Sequence, residues 1–374
     1  MGSRVHVVGG GVVGLACAWD LSRNGHAVTV VAPAPGRDGA SWVAAGKLAP
    51  VTEAQFGESA LTALLVDGAG SWPAFAAALE DATGLPIGYD TTGTVTVALD
   101  ASDRASLDDL LAYQRTLGLQ AHRRSASECR RLVPALSPAL RGGIEVPGDH
   151  QVDNRALLAA LGEACRRGGV TFVQSRVRAL LDGPALVLEN GRRLVADQVL
   201  LAAGTGTASI DGLADAGLPS LRPVKGQILR LGPADPTSPV PLLARTVRGL
   251  VHGRSVYLVP RPDGSIVVGA TVEERGTDTA VRAGAVHELL CDARAIVPAV
   301  DELELLEAAA GLRPATPDNA PRIGWTGLDG VLAAVGHYRN GILLAPLTAA
   351  AVVDLVGRRP VAPRMQALAP AWAR

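Results

Sequence analysis

Between Val5 and Val31 an apolar run leads into closely spaced glycines and leaves through a helical stretch, an order that constrains the fold more than any other feature. Val5-His6-Val7-Val8 feeds Gly9-Gly10-Gly11-Val12-Val13-Gly14, the stretch from Leu15 to Leu21 is apolar and helical, and Val28-Thr29-Val30-Val31 is a second apolar run. Strand, glycine turn, helix, strand is the setting in which G-x-G-x-x-G marks a nucleotide pyrophosphate. Gly9 permits the tight turn, Gly11 lets backbone approach the phosphates, and Gly14 lets helix and strand pack closely. Phosphates then sit on unpaired N–H groups at the positive end of the helix. A carboxylate for the ribose belongs about 20 residues further on. Ala32-Pro33 stand there instead, so the pyrophosphate half of the signature is present and the ribose half is missing.

The chain of 374 residues is long enough for two or three domains and a large interior. A net charge of -1 with scattered basic residues argues against a nucleic-acid face or an anionic membrane patch, and 3% aromatics argues against recognition by stacking. Cys17, Cys129, Cys165 and Cys291 form no C-x-x-C pair and read as reduced thiols of a cytoplasmic protein. The first strand begins almost at the N-terminus, which argues against a signal peptide, and no apolar run approaches the 18 or so residues of a membrane span. His6, His150 and His287 have no neighbours at ligand spacing, so no metal is expected.

Further along, Ser59–Ala82 reads as a helix interrupted at Trp72-Pro73, Thr94–Leu99 as a strand and Ser102–Leu117 as an amphipathic helix. The character changes near residue 142. Arg155–Arg167 is helical, and strands follow near residues 170–174, 177–181 and 185–189. Gln198–Gly204 is an apolar strand running into glycine, suited to the centre of a nucleotide domain. Pro223–Thr271 is strand-rich, Val281–Ile296 helical, Glu302–Leu312 a strand and Gly341–Val356 an apolar helix. Nucleotide-type segments thus come in three pieces separated by strand-rich insertions, with no internal repeat. Interleaved α/β domains fit this order better than a linear pair.

The far end of the chain sharpens the reading. Gly336-His337-Tyr338-Arg339-Asn340-Gly341-Ile342-Leu343-Leu344-Ala345-Pro346 resembles the closing motif of the D-amino-acid oxidase superfamily of flavoproteins. Residues 44–50, 223–226, 257–261, 268–271 and 311–314 extend the resemblance, in order, toward the branch that oxidises glycine for thiamine thiazole synthesis. The resemblance implies an FAD-binding Rossmann-like domain (residues 1–88, 143–222 and 307–374) interleaved with an antiparallel-sheet α+β substrate domain (residues 89–142 and 223–306). It implies non-covalent FAD, a small amino-acid substrate, oxygen as acceptor, hydride transfer to flavin N5, an imine passing to glyoxylate and ammonia, and hydrogen peroxide. A thiazole synthase is the implied imine acceptor, and a homo-oligomer, commonly a tetramer, the implied assembly. A D-amino-acid or sarcosine oxidase or dehydrogenase, and a flavin-fold binding protein without turnover, remain alternatives. A nicotinamide dehydrogenase leaves the closing motif without a role.

By the same resemblance Val12 and Val13 offer backbone to phosphate in the cofactor turn that Gly9, Gly11 and Gly14 shape, Ala32 and Pro33 lie at the adenosine ribose, and Val177 backbone meets the adenine. Ala40, Ser41, Ala45, Gly46 and Lys47 run along the pyrophosphate and flavin ring. Relatives usually carry Met where this chain has Lys47. That cation can favour a negatively charged ring, meet a second substrate carboxylate, or point to solvent. His337, Tyr338, Arg339, Asn340, Gly341, Ile342 and Leu343 present N–H groups to the ring from the last helix. Arg313 is the expected clamp for the substrate carboxylate, since a guanidinium fork matches it with two parallel bonds. Arg339 and Tyr257 are its expected helpers, each with a plainer role open: flavin contact for Arg339, core packing for Tyr257.

Overall fold

The computed structural model describes residues 2–37, 39–181, 183–233 and 240–370. Side-chain alternation along the first strand sets the layering, because successive residues of a strand point to opposite faces. Val5 and Val7 join a core with helices, whereas Val8 joins a core on the other side. Five strands, β1 (Arg4–Val8), β2 (Ala27–Val31), β8 (Thr171–Val173), β12 (Gln198–Leu201) and β19 (Val331–Val335), run parallel. With the antiparallel edge strand β18 (Arg322–Trp325) they form one sheet in the order β18-β19-β12-β1-β2-β8. Helices α1 (Val12–Arg23), α3 (Ser59–Thr83), α6 (Asn154–Arg167) and α8 (Gly341–Val356) cover one face. A small antiparallel sheet of β9 (Val177–Leu181), β10 (Ala185–Leu188) and β11 (Arg193–Val195) covers the other.

The second large sheet has eight strands, in the order β17-β13-β16-β15-β14-β4-β6-β5. In chain order these are β4 (Thr94–Ala98), β5 (His122–Arg124), β6 (Gly143–Val146), β13 (Arg222–Leu231), β14 (Thr246–Val251), β15 (Arg254–Pro260), β16 (Ile266–Gly269) and β17 (Leu305–Ala315). All pairings are antiparallel except β14 with β4. Helices α5 (Ala126–Leu132) and α7 (Ala283–Ile296) lie on this sheet, with Leu289, Ala293 and Ile296 packed on Val247, Val256 and Leu258. Helix α4 (Ala101–Thr116) buries Leu107 and Leu111 against Ile144 and Val146. The short strands β3 (Lys47–Leu48) and β7 (His150–Gln151) pair with each other, and two short helices, α2 (Gly39–Val43) and α9 (Pro363–Gln366), complete the set among the described residues.

Several elements depart from the sequence reading. Helix α3 runs unbroken through Pro73. Fully buried Trp72, edge-on to Phe75, donates its indole Nε1 to the Leu343 carbonyl of α8 at 2.9 Å, so packing holds the helix where proline removes one bond. The strand at Gln198 stops at Leu201 and turns through a 3₁₀ segment, Gly204–Ser209. The strand expected at Glu302–Leu312 begins at Leu305 and continues to Ala315, carrying Arg313 inside it. Both β6 and β17 hydrogen-bond into the eight-stranded sheet, although residues 143–222 and 307–374 were expected beside the parallel one. No helix among the described residues is long and apolar enough to cross a membrane.

Candidate active site

A cavity of about 750 Å³ lies between the N-termini of α1 and α8, the segment Ala44–Lys47, and the face of the eight-stranded sheet that carries Ile228 and Tyr257. Of the residues singled out from sequence, Val12, Ala40, Ser41, Ala45, Gly46, Lys47, Tyr257, Arg313 and Tyr338 through Leu343 line it. Gly9, Gly11, Val13, Gly14, Ala32, Pro33, Val177 and His337 do not.

The glycine turn is shaped as the motif requires. Gly9 has φ +118°, and a Cβ on Gly14 would stand 2.0 Å from the Gly9 carbonyl oxygen. Val12 N–H donates to Ser41 Oγ at 3.1 Å, which leaves the Ser41 hydroxyl hydrogen available to a further acceptor. The N–H groups of Val13 and Gly14 have no bond among the described residues, as the first turn of a helix dictates. At the far end of β2, Ala32 N–H is spent on the Val173 carbonyl at 3.1 Å. Pro33 has no N–H, so this stretch offers a ribose carbonyl oxygens alone. Val177 packs in the cluster that contains Val8 and Val31, the last residues of β1 and β2.

Helix α8 meets α1 here: a Cβ on Gly341 would lie 4.0 Å from Val13 Cγ2. Its open N–H groups are fewer than the motif suggests. Tyr338 N–H is taken by the Pro314 carbonyl (2.8 Å) and Asn340 N–H by that of His337 (2.9 Å), leaving those of Arg339, Gly341, Ile342 and Leu343, all cavity-lining residues, without a backbone acceptor among the described residues. The His337 ring turns inward, within 3.1 Å of Thr348 Oγ1, and burial lowers its pKa to about 4, so it is neutral.

On the sheet side, Arg313 Nη1 donates to the carbonyls of Lys225 (3.3 Å) and Thr271 (3.2 Å). Its guanidinium lies against Gly226, where a Cβ would come within 2.2 Å of Nη2. It has no carboxylate partner among the described residues. Tyr257 is its neighbour, with burial raising the phenol pKa. The Tyr257 hydroxyl lies against Gly269 in the same way that Arg313 lies against Gly226.

Lys47 does not point to solvent. Its Nζ is 2.5 Å from Glu53 Oε1 and sits 4.3 Å from the centre of the Tyr257 ring. Burial and then Arg248 lower its pKa to about 8, against the pull of Glu53. Glu53 and Arg248 were not recognised in the sequence. Burial opposes ionisation of Glu53, but Lys47, Arg248 and Arg339 together hold its carboxyl well below the usual range. Arg248 Nη1 is 2.5 Å from Glu53 Oε1 and Arg339 Nη1 3.2 Å from Oε2. The loop bearing Glu53 is fixed by fully buried Asp149, which accepts from the N–H groups of Val51 and Thr52, each at 2.9 Å. No local pattern announces this cluster; the register of β14 on β15, which sets Arg248 opposite Tyr257, assembles it.

The chemistry is that of an anion site between two helix N-termini and a cationic sheet face. Open N–H groups and a glycine cradle at α1 fit a dinucleotide phosphate, and those at α8 fit a group that becomes electron-rich. Residues 4–355 match the FAD dependent oxidoreductase (DAO) family. The chain is 32% identical over 364 residues to a glycine oxidase of Geobacillus kaustophilus, covering 96% of this chain and 94% of that protein. The crystal structure of a glycine oxidase from that organism superposes with a TM-score of 0.89, covering 99% of each chain. A bifunctional ThiO/ThiG protein of Synechocystis is 32% identical over 98% of this chain, which spans 54% of that longer protein. An iminodiacetate oxidase from Chelativorans sp. BNC1 is 27% identical, with a TM-score of 0.86 over 98% of this chain and 99% of that one.

Proposed function

The chain belongs to the FAD dependent oxidoreductase (DAO) family, and from that membership we propose that it oxidises glycine and related small amino acids at the cavity between its two large sheets. One observation carries the substrate half of this reading: Arg313, unpaired with any carboxylate among the described residues, faces a cavity whose opposite wall is the N-terminus of α8.

In this reading FAD would bind non-covalently, with the N–H groups of Val13 and Gly14 and the Ser41 hydroxyl available to hold its phosphates. Ala32 and Pro33 carbonyls and Val177 backbone serve the adenosine end, without a ribose carboxylate. Ala40, Ala45, Gly46 and Lys47, together with Gly341, Ile342 and Leu343, would hold its ring. The parallel sheet with α1 and α8 is the cofactor domain, and the eight-stranded sheet is the substrate domain. When bound, FAD supplies a two-electron acceptor that takes the α-hydrogen as hydride and passes the electrons to oxygen.

The chain's own work is orientation. Arg313 holds the substrate carboxylate in its fork, fixed from behind by two carbonyls, and Tyr257 adds its hydroxyl to the same group. Arg339, tied to Glu53, stays beside the ring-facing turn of α8. The α-hydrogen then faces the α8 wall, with no strong side-chain base needed. Glycine, oxygen and water give glyoxylate, ammonia and hydrogen peroxide, with the imine open to capture by a thiazole synthase. The similarity to ThiO/ThiG supports that link.

The test is direct. Purified protein should be yellow, lose that colour with glycine under anaerobic conditions, and yield peroxide in air. Colourless protein that takes up no added FAD would overturn the reading, and yellow protein that no small amine bleaches would reduce it to a flavin-binding one.

A further inference from the structure

The inner cavity carries more positive charge than one amino-acid carboxylate can satisfy. Lys47, Arg248, Arg313 and Arg339 face it, against the single carboxylate of Glu53. The outer rim is different, because each of its cations is paired with an acid. Arg254 is 2.5 Å from Asp292, Arg275 is 3.0 Å from Glu273, and Arg282 is 2.9 Å from Asp278. The surplus is therefore local to the reaction chamber. A buried cation without compensating charge is costly, and Glu53 is divided among three of them.

The cations also fall at separate places around Tyr257. Its hydroxyl end lies over Gly269, two residues before Thr271, whose carbonyl holds Arg313. Its ring face meets Lys47, and Arg248 stands opposite it in the strand register. Donors remain free on this second side. Arg248 uses Nη1 for Thr52 and Glu53, and none of its other nitrogens is hydrogen-bonded among the described residues. Lys47 directs one of its three N–H bonds to Glu53. A methionine at position 47 would leave this side with one cation fewer.

We propose that this cavity accepts amino acids bearing a second carboxylate, the first held by Arg313 and the second by Lys47 and Arg248. The inference rests on the amine-oxidase reading above and narrows its substrate class. The redox balance is that of glycine. The α C–H hydride and the amine N–H proton leave, oxygen is reduced to peroxide, and water cleaves the C=N bond formed. A second carboxylate on nitrogen, as in iminodiacetate, makes the products glyoxylate and glycine. A second carboxylate on carbon, as in D-aspartate, makes them oxaloacetate and ammonia.

Two measurements on the FAD-loaded protein decide it. In the first, kcat/KM for iminodiacetate or D-aspartate should exceed that for glycine about tenfold or more, and whichever leads identifies where the second carboxylate sits. Lys47→Met should lower that ratio by a similar factor. The second measurement needs no turnover. Five-carbon glutarate should perturb the visible flavin spectrum at concentrations about tenfold lower than five-carbon valerate, which has one carboxylate. Glycine oxidised as well as both dicarboxylic substrates, with glutarate and valerate equivalent, overturns the proposal and leaves the amine-oxidase reading intact. Absence of peroxide from all three amines, with glutarate still favoured, overturns the amine-oxidase reading and retains the two-carboxylate site.

Discussion

Arg313 shows how a single side chain is made into a receptor. Two backbone carbonyls hold it from behind and glycine lies beneath it, so its remaining donors are aimed before any ligand arrives. Removing one partner of a desolvated charge pair costs about 2–5 kcal/mol. Arg313→Ala is therefore expected to raise KM for glycine by roughly 30-fold to several thousand-fold, with the visible spectrum of bound flavin unchanged. Arg313→Lys, which keeps the charge but loses the fork, should recover part of the loss. An unaltered KM in the alanine variant would remove Arg313 from the binding step. Arg313 and Tyr257 were legible in the sequence because each stands in a run that resembles a family motif. Glu53 and Arg248 were not, since a lone glutamate in a loop and an arginine in an alternating strand look like solvated positions. Both become part of the chamber only when β14 pairs with β15 and Asp149 draws the loop inward.

Helix α8 was readable to its ends, Gly341–Val356, because a long apolar run after a glycine-bearing turn admits few other structures. Strands β1 and β2 were readable to within a residue for the same reason. Legibility failed where pairing partners lie far away in sequence. Nothing near Gly143–Val146 or Glu302–Leu312 reveals that β4 and β13 will claim those strands. The turn before α8 has a pH consequence. His337 is 4% exposed and its ring is within hydrogen-bond distance of Thr348 on that helix. Burial holds its pKa near 4, below the ordinary 6.5 that it regains on unfolding. Above pH 6.5 both states are neutral and the contribution is flat. As pH falls toward 4 the unfolded state binds a proton that the folded state refuses, so stability declines, by up to about 3 kcal/mol. Urea denaturation followed from pH 7 to pH 4 should show this decline in the native protein. The slope should be shallower in His337→Gln, which keeps a polar partner for Thr348 without titrating. Identical slopes would assign the acid sensitivity to other groups.

Across the whole molecule, the chamber belongs to neither sheet alone. Its floor is the first turn of α1 and α8 on the parallel sheet, and its roof is the face of the eight-stranded sheet bearing Tyr257 and Arg313. Chain continuity links the two: β17 pairs with β13 along its length, and the segment after it leads through β18 and β19 into α8. Tyr338, just before α8, also bonds back to Pro314 of β17. A ligand that fills such a gap stabilises both walls, because it binds the assembled state and not its separated parts. By mass action the gain is about 2.7 kcal/mol at a hundredfold excess over Kd. Amide hydrogen exchange compared with and without FAD should therefore show new protection in two places at once. One is the α1 turn with residues 341–343; the other is the sheet segments around Gly226, Tyr257 and Arg313. If only the parallel-sheet segments gained protection, the two walls would be energetically independent. The cofactor would then organise its own domain and leave the substrate face to be ordered by the substrate alone.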